Sequence, residues 1–148
     1  MAGLPGEENG TERGSGCADA APGSFASSYR ELRVYQLAFE LAMELHALSS
    51  SFPASERFAL CDQIRRSSRS VCSNLAEAWR KRRYKNAFVA KLSDAETEAC
   101  ETQVWIQFAQ ACGYLSKEKA DSLESSYEQT LASIVAMARD ADRWLIQQ

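Results

Sequence analysis

The sequence predicts an all-α protein, an antiparallel up-down-up-down four-helix bundle, on three observations. Apolar residues recur at alternating spacings of three and four through four successive stretches. The links between these stretches are only a few residues long, so consecutive helices are expected to run antiparallel. No β-type alternation bounded by hairpin signals interrupts them. A chain of 148 residues is long enough to bury one sizeable core, and one folded domain is expected.

Residues 1–28 stand apart from this pattern. They hold six of the seven glycines and two of the three prolines, with hardly any large apolar side chain. Such a composition cannot offset the entropy of ordering a backbone, so a flexible N-terminal tail is expected there and the bundle domain over residues 29–148.

The first stripe, Val34, Ala38, Leu41, Leu45 and Leu48, predicts a helix over about 29–50, closed by a serine run and Pro53. The second, Leu60, Ile64, Ser67, Val71, Leu75 and Ala78, predicts a helix over about 54–82 whose small seam residues admit a close neighbour. Phe88, Leu92, Ala95, Ala99, Thr102, Ile106 and Ala109 mark the third, with Gly113 as its C-terminal cap. Ser116 offers an N-cap to the fourth, which Leu123, Tyr127, Thr130, Ile134, Met137 and Ala141 carry on toward Trp144 and Leu145. Outside the seams, Tyr35, Phe39 and Met43 on the first helix and Trp105, Phe108 and Cys112 on the third add apolar surface. A wide core-facing stripe and a contact with a second copy both account for it.

Several functional classes are disfavoured. No run approaches the roughly 18 apolar residues of a membrane span, and the opening MAGLPGEENG is unlike a secretory signal, so no membrane partner and a cytoplasmic location are expected. Five scattered cysteines lack any C-x-x-C pair; reduced thiols are expected, four of them within the helical seams. His46 is the only histidine, which leaves out the Glu-x-x-His pairs of two-metal bundles. The acidic run Asp94, Glu96, Glu98 and Glu101 reads as a solvated face. Neither a Gly-x-Ser-x-Gly elbow nor a phosphate-cradling glycine loop is present, so no catalytic residue, metal or cofactor is expected.

Charge carries the main functional signal. Residues 1–28 contribute a net −3, residues 29–56 −2, residues 57–91 +8 and residues 92–148 −6. Within the basic segment, Arg65, Arg66 and Arg69 lie on the second helix, and Arg80, Lys81, Arg82, Arg83 and Lys85 follow at the turn into the third. One reading is contact with the phosphate backbone of RNA or DNA, where each neutralised phosphate releases counterions, with Trp79 and Tyr84 stacking on bases. The other is intramolecular pairing, with Asp62 facing Arg65 and Arg66, Glu77 facing Arg80 and Lys81, and the later carboxylates completing the set. In that case the same arginines serve a protein-interaction scaffold, docked on an acidic partner or a neighbouring subunit.

Several stretches together carry a family resemblance: residues 29–38 (YRELRVYQLA), Phe52-Pro53, Gln63-Ile64-Arg65-Arg66-Ser67, residues 70–78 (SVCSNLAEA), Glu101-Thr102-Gln103 and Gly113-Tyr114-Leu115. The chain resembles the bacterial four-helix-bundle proteins encoded in 23S ribosomal RNA intervening sequences. Related members look like the accessory variability protein of diversity-generating retroelements, which works with a reverse transcriptase and its RNA. The resemblance implies a homopentamer, a basic surface that binds nucleic acid with little sequence preference, and no enzymatic activity. This chain replaces the Ile-Pro-Ala-Asn-Ile-Ala-Glu-Gly of many members with residues 71–78, VCSNLAEA. Without that proline and glycine, the second helix is expected to run on toward Arg82.

Overall fold

The computed structural model describes residues 26–147. The expected tail therefore lies outside the described residues except for Ala26, Ser27 and Ser28. Four helices make up the fold: α1 (Arg33–Ser49), α2 (Leu60–Arg80), α3 (Lys85–Ala111) and α4 (Lys117–Arg139), with no strand among the described residues. Each helix packs on two others, α2 on α1 and α3, and α4 on α3 and α1.

Every residue of the four seams is buried except Leu48, which is partly exposed. The α2–α3 contact is the most extensive, and small residues among the buried positions of both helices, Ser67 and Ala78 on α2 and Ala95 and Ala99 on α3, favour their close approach. Two polar groups cross that contact within the core: the Thr102 hydroxyl lies 2.8 Å from Ser67 Oγ and 2.9 Å from the Glu98 carbonyl. Hydroxyls buried there without partners would cost stability, so the pairing also fixes the helix register. The Tyr127 phenol is fully buried beside this layer, and burial pushes its pKa upward.

The helix ends differ from expectation at four places. The first helix starts at Arg33 rather than near residue 29, because Tyr29–Glu31 forms a separate 3-10 turn capped by Ser28 and Leu32 is extended. Likewise the second does not begin at residue 54: Ala54–Glu56 is a 3-10 turn, and Ala59 leaves helical geometry at φ −121° and ψ −101°. Nor does it reach Arg82. It stops at Arg80, where the Arg82 guanidinium folds back over the Trp79 ring, 3.4 Å from its centroid, and donates from Nε to the Trp79 carbonyl at 2.9 Å. The fourth helix ends at Arg139, and Ala141–Arg143 forms a 3-10 turn instead of continuing to Leu145.

The expected caps form. Gly113 adopts φ +78°, and Gly113 and Tyr114 donate their N–H groups to the Gln110 and Ala109 carbonyls at 2.9 and 2.8 Å, a Schellman closure. The Ser116 hydroxyl accepts the Lys119 N–H at 3.1 Å.

Cys61 and Cys72 are buried as expected, and burial pushes the Cys72 thiol up to about 11. Cys100 and Cys112, by contrast, are exposed rather than in the seam, and Cys17 lies outside the described residues. The extra apolar side chains also face outward: Phe39 and Met43 on α1 are each about half exposed, as is Phe108 on α3, with Val104 beside it at 40%. Tyr35 and Trp105, by contrast, are partly buried against the core, so the core-facing stripe is widened by these two alone. No helix among the described residues is long and apolar enough to cross a membrane.

Candidate nucleic-acid interface

The eight basic residues of the sequence signal separate into two groups along α2. Arg65, Arg66 and Arg69 lie on its first half, and Arg80, Lys81, Arg82, Arg83 and Lys85 gather at the α2–α3 turn, roughly 20 Å away at 1.5 Å per residue. Their surroundings decide which charges are available.

Arg65 is committed to the fold. Its Nε donates to Ser49 Oγ at 2.8 Å, and Nη2 donates to the His46 carbonyl and to Ser50 Oγ, both at 3.2 Å. A cation here satisfies the free carbonyl end of α1 and meets its negative dipole end. Arg66 reaches α3, with Nη2 2.6 Å from Glu101 Oε1 and 3.4 Å from Glu98 Oε2. The hydrogen bond from Arg66 draws the Glu101 carboxyl below its usual range, and the indole N–H of Trp105, 3.2 Å from the same oxygen, adds to the effect. Arg69 is exposed, and its Nη2 lies 3.3 Å from His46 Nδ1. The local pairs expected from helix spacing do not form: Arg65 and Arg66 bond elsewhere than to Asp62, and Glu77 pairs with Lys91 at 2.7 Å rather than with Arg80 or Lys81.

At the turn, Arg80, Lys81 and Arg83 are exposed and make no ion pair or side-chain hydrogen bond among the described residues. Arg82 is half-buried on Trp79, and desolvation lowers its pKa. Lys85 is paired with Asp142 at 2.9 Å, although both side chains remain mostly exposed. Tyr84 is 65% exposed, whereas Trp79 is buried at 7% beneath Arg82. Tyr84 is thus presented for stacking, and Trp79 is not.

The turn is pinned on both sides. Tyr84 N–H donates to the Lys81 carbonyl at 3.0 Å, and Ile146 N–H donates to the Arg82 carbonyl at 3.1 Å, bringing the chain's C-terminal segment against it. Sequence reasoning missed Arg143, which the 3-10 turn after α4 carries to this end alongside Asp142. No short-range pattern links it to residues 80–83. Among the described residues no group of three or more His, Cys, Asp or Glu side chains converges as a metal site.

The fold and this corner define a class: a four-helix all-α protein, over the described residues, with a compact group of exposed cations at one interhelical turn. The model of the 23S rRNA-intervening sequence protein family matches residues 30–136. The chain belongs to that family. A crystal structure of a protein with unknown function from the S23 ribosomal protein family of Bacteroides thetaiotaomicron superposes with a TM-score of 0.65 at 23% identity, covering 72% of this chain and 95% of that one. That likeness concerns the fold. No curated protein matches the chain.

Proposed function

We propose that this protein is a non-catalytic, oligomeric accessory protein that binds the phosphate backbone of RNA or DNA through Arg80, Lys81 and Arg83, with Tyr84 stacking on an unpaired base. The observation that carries the reading is the exposure of these three cations, with no carboxylate partner among the described residues, in a chain of net charge −3. A local field of this kind attracts a polyanion even where the whole chain repels it. Arg65 and Arg66 are assigned to the fold instead, and Arg69 is a secondary contact.

The helices are read as an up-down-up-down bundle. Supporting this, Arg65 near the start of α2 bonds Ser49 at the end of α1, Lys119 at the start of α4 pairs with Glu44 late in α1 at 2.9 Å, and Lys85 at the start of α3 pairs with Asp142 just after α4. The exposed apolar faces around Phe39 and Phe108 support assembly into a homo-oligomer, a pentamer on the family resemblance. A reverse transcriptase with its RNA in the cytoplasm is the setting that the same resemblance supplies. The scaffold alternative predicts a protein partner whose capture survives nuclease treatment.

The test is a salt titration of binding to structured RNA and to single-stranded DNA. Three phosphate contacts to a single strand give a log–log salt slope of about −2, and R80Q/K81Q/R83Q abolishes that component. An unchanged slope in the triple variant refutes the assignment.

A further inference from the structure

Arg69 and Arg80 stand on one face of α2. They are eleven residues apart, about three helical turns, and so lie about 16 Å from each other along the helix. Both side chains are exposed, and neither makes an ion pair among the described residues. Glu77, the carboxylate that α2 carries between them, is drawn toward α3 by Lys91 at 2.7 Å.

The flank of α1 beside this ridge is apolar. Three contacts set its register: Cys61 Sγ with the Ser49 carbonyl at 3.4 Å, Arg65 with Ser49 at 2.8 Å, and Arg69 with His46 at 3.3 Å. As the α2 residue number rises, the α1 number falls. Counting on at about 1.5 Å per residue brings Tyr35 level with Arg80, and Phe39 and Met43 between the two arginines, to within about one turn. Phe39 precedes His46 by about two turns, which puts it on the flank that Arg69 meets. Its ring is about half exposed and is backed by Tyr35, with centroids 6.2 Å apart at an interplanar angle of 27°. Tyr29 in turn meets Tyr35 edge-on at 4.9 Å. Glu40, next to Phe39 in sequence, lines the groove between α1 and α4 instead.

A half-exposed aromatic ring between two such cations fits a strand whose bases are free to leave their own stack. Bases of a duplex are paired and stacked inside it, so only its backbone would reach the arginines. We propose that a single-stranded polynucleotide lies along the α1–α2 edge, from the Arg80, Lys81 and Arg83 turn to Arg69, with phosphates on the arginines and an unpaired base on Phe39. This path rests on the nucleic-acid function proposed above and narrows it: single strand is selected over duplex, and Arg69 is a full phosphate contact. Phe39 then serves the strand, and the Phe108 face on α3 is left to join copies of the chain.

Fluorescence anisotropy of the full-length protein with labelled oligodeoxythymidylate, and with a duplex of equal length, tests the path at about 50 mM salt. F39L keeps apolar bulk and removes the aromatic face. It should bind the single strand on the order of tenfold more weakly and the duplex as wild type does, and F39W should restore the loss. R69Q should make the log–log salt slope for the single strand shallower by about 0.7, the value of one phosphate contact. Unchanged single-strand affinity in F39L, an equal loss on the duplex, or an unchanged slope in R69Q overturns the path. So does a shifted sedimentation profile of F39L without nucleic acid, which would assign the face to a second copy. If wild type binds neither oligonucleotide, the nucleic-acid function falls and the path with it. Binding that is lost in R80Q/K81Q/R83Q and untouched in F39L removes the path alone.

Discussion

Replacing Arg65 by Gln should damage the fold and leave the polyanion surface alone, the opposite of the effect expected at Arg80, Lys81 and Arg83. The side chain of Arg65 is half-buried and makes three hydrogen bonds to the end of α1, of which the 2.8 Å bond to Ser49 Oγ is the strongest. Hydrogen bonds from a charged donor contribute about 1.5 kcal/mol or more where shielded, and the two 3.2 Å bonds, which face solvent, add little. Favourable alignment with the helix dipole adds about 0.5 kcal/mol. The total is about 2 kcal/mol. Ser49 itself is 2% exposed, yet its hydroxyl also donates to the His46 carbonyl at 3.1 Å, so loss of Arg65 does not leave it wholly unpaired. For a domain of this size, 2 kcal/mol lowers Tm by about 4 to 8 °C. Urea denaturation followed by circular dichroism measures the loss, and a double-mutant cycle with S49A isolates the pair. A destabilisation below about 0.5 kcal/mol, or a fall in salt slope matching that of the triple turn variant, would refute the division of the basic residues into structural and available groups.

Three further outcomes follow from the same contacts. Because Arg66 depresses the Glu101 pKa, that carboxylate contributes stability that is present above its ordinary value near 4.5 and lost as pH falls through its lower folded value; R66Q should flatten the dependence of the urea midpoint below about pH 4.5. Gly113→Ala meets no atom within 4 Å but must hold φ +78°, so it should cost about 1 kcal/mol through backbone strain alone, and G113N less; equal losses in thermal melts would contradict the cap assignment. Ile106→Ala, at a fully buried seam position, should cost about 3 kcal/mol, whereas F108S at a half-exposed position should leave the melt of the subunit nearly unchanged and shift the sedimentation profile if that face joins copies.

The seams were readable from sequence because burial repeats with the helix period. The seven seam positions of α3, from Phe88 to Ala109, are the buried positions of that helix. The ends were less readable, each for a local reason. Residues 54–59 have helix-compatible composition, but Phe58 is 81% exposed, and no seam residue precedes Leu60 to hold another turn against the core. At the far end of α2, nothing in the spacing of Trp79 and Arg82 distinguishes a continuing helix from a guanidinium folded onto an indole. The candidate site shows the same limit more sharply. Arg66 and Arg80 look alike in a basic stretch, but the carboxylates that neutralise Arg66 stand 32 and 35 residues away on α3. Local helix spacing suggested Asp62 and Glu77 as partners, and tertiary packing supplied Glu98, Glu101 and, for Arg65, a helix end.

The hydrogen bond from Ile146 N–H to the Arg82 carbonyl joins residues 64 positions apart. The basic corner is therefore closed on one side by the chain's return past Asp142, a contact at the C-terminal end that fraying would open before the packed seams. The Ile146 amide is a natural reporter of that opening. Its hydrogen-exchange rate should follow the integrity of the corner while amides in the α3 seam remain protected to the level of global unfolding.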